Sequence, residues 1–153
     1  MREHTACFTG HRDLPTDTAS LRTRAEAVIR ELHKEGVTDY WAGGALGFDT
    51  LAALAVLDLA EELSGLTLRL ALPCREQARG WSPRDALLYE RIKERAAEVV
   101  YIAEAYLPGC MQARNRYLVD QSAHCIFYSQ RAYGGTAYTV DYAGKQGLML
   151  HPI

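Results

Sequence analysis

Apolar positions along the chain follow two alternating rhythms. Short apolar runs of strand length fall at Thr5–Thr9, Val37–Ala42, Leu66–Leu72, Val99–Ile102, His124–Tyr128 and Leu148–His151. Between them apolar residues return every three or four positions, as a helix with one buried face requires. Leu21, Ala25, Val28, Ile29 and Leu32 make the first such face, and Gly36 supplies a stop. Leu51–Leu63 is rich in Ala and Leu and reads as a helix buried over most of its surface. Pro73 is expected to break the third strand. In Ser82-Pro83-Arg84-Asp85 the serine can cap a helix, proline suits its first position and Asp85 can reach back to the cap amide. Leu88, Ile92 and Ala96 continue that helix, and Met111–Asp120 and Thr136–Gln146 supply two more.

Strand and helix in strict alternation imply a parallel sheet covered on both faces. The expected architecture is α/β: a three-layer, Rossmann-like domain over residues 1–153, with a mostly parallel sheet of about five to six strands and helices on both faces. No repeat or linker interrupts it. Ligands of such sheets bind beyond the carboxyl ends of the strands, where the strand order reverses. The strand-to-helix turns are therefore where chemistry is sought.

Composition narrows the function. The 17 Lys and Arg against 19 Asp and Glu give a net charge of -2, and aromatic residues make up 9%. Both values argue against a nucleic-acid partner held by bulk electrostatics. The amino-terminal residues show no signal peptide, and Leu51–Ala60, which contains Asp58, is far too short to span a bilayer. A cytoplasmic protein without a membrane partner is expected. Cys7, Cys74, Cys110 and Cys125 lack metal-ligand spacing and read as reduced core thiols, so no metal site is expected.

Three turns could hold phosphate. In Thr9-Gly10-His11-Arg12, Gly10 lets backbone approach a ligand, Arg12 brings a fork of donors, and His11 could donate a hydrogen bond or act as a base. Gly43-Gly44-Ala45-Leu46-Gly47-Phe48-Asp49 leads into a helix whose free amides and dipole favour an anion. It is neither a GxGxxG dinucleotide motif nor a P-loop. Asp49 either caps the helix or accepts hydrogen bonds from ribose hydroxyls. The third turn, Tyr133-Gly134-Gly135-Thr136, again places glycines before a threonine at a helix entrance. Arg114 and Asn115 stand near the amino end of the preceding helix and point either to solvent or into the same cleft. Glu76, after the third strand, could face the cleft, and Trp81 either lies over a base or packs on the core. Asp141, a full turn into the last helix, reads as solvated or paired.

These residues in this order resemble the SLOG superfamily, the Rossmann-like group of the DNA-processing Smf proteins and the Lonely Guy enzymes, and most of all its small stand-alone YpsA-type members. The resemblance rests on Thr9–Arg12, Gly43–Asp49, Pro73 with Glu76-Gln77 and Trp81, Arg114-Asn115, and Gly134–Thr136. It implies binding of a nucleotide-derived ligand, of NAD or ADP-ribose type in the YpsA branch. The Lonely Guy branch implies phosphoribohydrolase activity, with a glutamate after the PGGxGT motif. On this chain Arg114, Ser122–Tyr128 and Gly135-Thr136 match that hallmark. Thr139 stands at the glutamate's position, and Ser129–Tyr133 lengthen the loop. A threonine supplies no carboxylate for acid catalysis.

The leading expectation is thus a binder or sensor of a small nucleotide ligand, with no firmly implied cofactor and enzyme activity left open. Phosphates would sit on the second and third turns beside Arg12 and Arg114, ribose on Asp49 or Asn115, and the base near Trp81 or Tyr133. Glu76 or Asp49 would carry a glycosidase alternative, and single-stranded DNA binding is a lesser one. A homodimer or higher oligomer stays open.

Overall fold

The computed structural model describes Arg2 to Ile153. The described residues form six strands and five helices in strict alternation: β1 (Thr5–Gly10), α1 (Thr18–Lys34), β2 (Asp39–Ala42), α2 (Phe48–Leu59), β3 (Thr67–Cys74), α3 (Pro83–Arg95), β4 (Glu98–Ala103), α4 (Cys110–Asp120), β5 (His124–Tyr128), α5 (Gly135–Lys145) and β6 (Met149–Pro152). The strands make one sheet in the order β4-β3-β2-β1-β5-β6, every neighbouring pair parallel. The fold is the expected three-layer Rossmann-like α/β arrangement.

Period-two alternation divides the interior. Ala6 and Phe8 of β1, Tyr40 and Ala42 of β2, and Ile126 and Tyr128 of β5 face the larger core, which is closed by α1, α2 and α3. Cys7, Trp41 and Cys125, one residue out of phase, face the smaller core under α4 and α5. Leu21, Ala25, Ile29 and Leu32 of α1 are all buried, as their spacing predicts. All four cysteines are free and buried. No helix among the described residues is long and apolar enough to cross a membrane.

Local chemistry sets the helix starts. Asp17 caps α1 by accepting from the Ser20 amide at 2.9 Å, and Ser82 caps α3 by accepting from the Asp85 amide at 3.1 Å. The helix α2 begins a turn earlier than its apolar run suggests, because Gly47, at φ 84°, turns the chain directly into it.

Pro73 does not end β3. Pairing with β2 runs out at Ala42 and Leu70, whereas pairing with β4 continues to Cys74 and Ala103. Beyond Leu70 the strand has a neighbour on one side only, so a residue without an amide is tolerated there.

Close packing fixes the first turn. A Cβ at Gly10 would overlap the side chain of Phe48, which is fully buried against Phe8 and Tyr128. Gly10→Ala should therefore lower stability by about 1–3 kcal/mol, the usual cost of forcing extra volume into a packed site. Gly135→Ala, with open space around its Cβ, should cost less. Urea denaturation of the two variants checks the contrast.

Candidate ligand-binding site

The strand order reverses beside β1: β2, β3 and β4 lie on one side of it, β5 and β6 on the other. A cleft of about 470 Å³ opens at this reversal, between the turn after β1, the start of α5 and the first turns of α4. Gly10, His11, Arg12, Asp49, Arg114, Asn115, Gly134, Gly135 and Thr136 line it. Residues more than 120 positions apart are thereby gathered at the carboxyl edge of β1 and β5, whose ends pair at Gly10 and Tyr128.

The amino end of α5 opens onto the cleft. Gly134, at φ 95°, caps the helix without a side-chain hydrogen bond, and nothing lies within 4 Å of a Cβ built on it or on Gly135. First-turn amides of a helix lack intrahelical acceptors and carry the positive end of its dipole, so this terminus suits an anion. Arg12 is exposed and makes no side-chain hydrogen bond or ion pair among the described residues.

The turn after β2 is built differently from the phosphate cradle its glycines suggest. The Phe48 amide donates to the His11 carbonyl at 3.0 Å, and the Ala45 amide donates to Asp49 Oδ2 at 3.2 Å. The carboxylate of Asp49 thus holds a donor that an external anion would need. Gly43 is required by packing, since a Cβ there would strike the guanidinium of Arg114 and the carboxylate of Asp49. Gly44 and Gly47 face a second, apolar cleft of about 460 Å³ walled by Leu51, Leu54 and Leu88.

Trp81 lies in that second cleft, edge-to-face with Tyr89 at 5.2 Å, and not beside α5. Glu76 accepts from the Tyr106 amide at 2.8 Å, pairs with Arg79 at 2.8 Å, and faces a separate hollow beside Cys74 and Met111. The structure therefore groups neither Trp81 nor Glu76 with the α5 turn, because the end of β3 leads away from the reversal point. Asp141 is solvated and paired with Lys145 at 3.0 Å.

Arg114 is buried at 5% exposure. Its Nη1 donates to the Gly43 carbonyl and its Nε to Asn115 Oδ1 at 2.7 Å. Burial pushes the Asp49 carboxyl up from its ordinary range, while Arg114 and the Ala45 amide pull it down. Burial likewise pushes Arg114 down, and the charge of Asp49 opposes it. Thr139 is fully buried and its Oγ1 donates to the Gly135 carbonyl at 2.8 Å, so the position of the hydrolases' glutamate carries a helix-internal hydrogen bond.

Two lining residues carry no signal in the sequence. Asp13 and Arg131 form an ion pair of 3.2 Å across the mouth of the cleft. Nothing local marks either one, because their pairing spans 118 positions. Beside them His11 Nε2 accepts from the Gln130 amide at 2.7 Å, and the imidazole meets Tyr128 edge-on at 5.5 Å.

The profile of the YpsA family, described as the YspA SLOG family, matches residues 15–148. The chain belongs to this family. The match begins after the Thr9–Arg12 turn, so the cleft combines residues inside and outside it. Among relatives, the SPbeta prophage-derived protein YoqJ of Bacillus subtilis (strain 168) is 30% identical over 150 residues, covering 86% of this chain and 88% of YoqJ. A UPF0398 protein of Bacillus thuringiensis (strain Al Hakam) is 29% identical over 131 residues, 84% of this chain and 69% of that one.

Two solved structures share the fold. DNA processing protein A of Helicobacter pylori, described for its single-stranded DNA binding mode, matches 99% of this chain with TM-score 0.70 and 21% identity. DNA processing protein A of Streptococcus pneumoniae matches 97% with TM-score 0.71 and 19% identity. This chain spans 65% and 49% of those two chains. The expectation that nucleic acid is not a partner is corrected by these neighbours. Net charge averages the whole surface and does not register how charges gather locally: one cleft of this chain of net charge -2 collects Arg12, Arg114 and Arg131 together with Asp13 and Asp49.

His11 must be unprotonated at Nε2 to accept from Gln130. Burial, with a smaller contribution from Arg131, lowers its pKa below 6.5, against a raising effect of Asp13. The stabilisation is present above the unfolded value near 6.5 and is lost as pH falls from there through the lower folded value. Wild type should lose melting temperature faster than His11→Phe between about pH 7 and pH 5. The His124–His151 pair is common to both proteins and cancels; parallel curves would remove His11 as the cause.

Proposed function

We propose that the cleft between β1 and β5 binds a nucleotide-derived ligand, a nucleoside phosphate or an NAD- or ADP-ribose-type molecule, without cleaving it. The observation that carries this reading is the open amino end of α5 at Gly134-Gly135, which lines one cleft with Arg12 and Arg131. A phosphate there meets backbone amides, the helix dipole and two guanidinium forks. Asn115 and Thr136 stand near enough to the same cleft to address ribose hydroxyls. Tyr133, 73% exposed at the rim, offers a ring to the base. Binding is favoured over hydrolysis because Thr139 replaces the hydrolases' carboxylate, Glu76 faces elsewhere, and Asp49 is committed to the Ala45 amide and buried.

Single-stranded DNA is the second reading, favoured by the likeness to DNA processing protein A. The same features would serve it: phosphates of the strand on the α5 terminus and the arginines, a base on Tyr133.

Thermal shift of the pure protein with AMP, ADP, ATP, NAD and ADP-ribose, with chromatography of each mixture afterwards, tests the first reading. A raised melting temperature with intact ligand is expected, since a ligand that binds the folded state stabilises it; released base would restore the hydrolase. Gel shifts with oligonucleotides across a salt series decide the second, for which tight, salt-sensitive binding is the positive result. In either case Gly135→Asp should leave the fold intact, since Gly135 is exposed and nothing lies within 4 Å of a Cβ built on it. It should weaken binding by about tenfold or more, by placing a carboxylate where the phosphate sits.

A further inference from the structure

The mouth of the cleft already contains an anion. Asp13, in the turn after β1, meets Arg131, in the β5–α5 loop, through both carboxylate oxygens: Nη2 donates to Oδ1 at 3.2 Å and Nη1 to Oδ2 at 3.4 Å. This is the forked geometry in which a guanidinium takes a phosphate. Both residues line the cleft with Gly134 and Gly135. Their side chains are 75% and 40% exposed, so the pair is weakly held and exchangeable. The stem of the same loop is fixed independently. His11 Nε2 takes the Gln130 amide at 2.7 Å, and Ser129 Oγ donates to the Arg131 carbonyl at 3.2 Å. The loop base is thus anchored while the guanidinium alone is free to change partner.

We propose that Asp13 is a resident anion that occupies Arg131 in the unliganded protein and is displaced from it by the phosphate of the incoming ligand. This rests on the phosphate-binding reading of the cleft and adds a selectivity to it. A dianionic phosphate or pyrophosphate offers the fork more charge than the carboxylate it replaces, whereas an uncharged nucleoside has nothing to exchange. Asp13 therefore sets a threshold of ligand charge for engaging Arg131.

Inorganic pyrophosphate, titrated calorimetrically at low salt into wild type, Asp13→Asn, Arg131→Gln and the double variant, tests the exchange. Asp13→Asn should bind about threefold tighter, the scale of releasing one exposed ion pair. Arg131→Gln should bind more weakly, and adding Asp13→Asn to it should bring no gain. A gain of equal size in the Arg131→Gln background would show that Asp13 acts only through its general charge and would overturn the exchange. Unchanged or weaker binding by Asp13→Asn would overturn it too, leaving the pair as a fixed loop tie. Asp13→Ser, melted without probe, guards against an effect of the asparagine itself. Failure of all four proteins to bind would remove the phosphate site and this inference together, while equal binding by wild type and Asp13→Asn removes the inference alone.

Discussion

A buried guanidinium at the carboxyl edge of the sheet organises the cleft and the turns around it. Arg114 projects from α4, on one face of the sheet, to the Gly43 carbonyl after β2, whose helix α2 lies on the other face. Taking a guanidinium out of water is costly unless its charge and its N–H groups are answered. Here Asp49 supplies the opposite charge, and Gly43 and Asn115 supply acceptors. The arrangement also explains Gly43 itself: any side chain would occupy the space that Arg114 and Asp49 fill. One charged contact therefore joins the two helix layers, shapes the β2–α2 turn and forms the inner wall of the cleft.

With that wall committed to internal bonds, the donors left without a partner lie on the other side of the cleft. Ala45 and Phe48 amides are used by Asp49 and His11, whereas the α5 terminus has neither a side-chain cap nor close neighbours. Two glycine turns of similar composition are thus built in opposite ways. The difference lies in the residues that enter each helix: an aspartate that folds back in the first case, and Gly-Thr-Ala with no carboxylate in reach in the second. The same asymmetry bears on chemistry, since Thr139 closes a hydrogen bond within α5 where the Lonely Guy motif calls for a carboxylate.

The rim is where the molecule is least committed. Among the described residues Arg12 has no side-chain hydrogen bond or ion pair, Tyr133 is exposed and the Asp13–Arg131 pair is solvent-accessible. All of them stand within a few residues of strand ends held in the sheet. Binding elements on turns above a fixed scaffold are a common division of labour in α/β folds.

Features that depend on neighbours within a turn or a strand were legible in the residues alone. Leu21, Ala25, Ile29 and Leu32 declare a helix face by spacing, Ser82 declares its cap, and the six short apolar runs declare strands. Alternation of the two types then leaves little choice but a parallel three-layer fold. Even the cleft's position comes from a rule about strand ends. Contacts between distant segments were not legible in this way. Sequence alone puts the turns after β1 and β5 at one ligand together with Trp81 or Glu76; only the order β4-β3-β2-β1-β5-β6 shows that Glu76 and Trp81, at the end of β3, belong elsewhere. Pro73 stays in its strand because β2 stops short, a fact about another segment. Asp13 and Arg131 meet across 118 positions, and no local pattern of charge or hydropathy encodes a contact whose distance is set by the folding of everything between them.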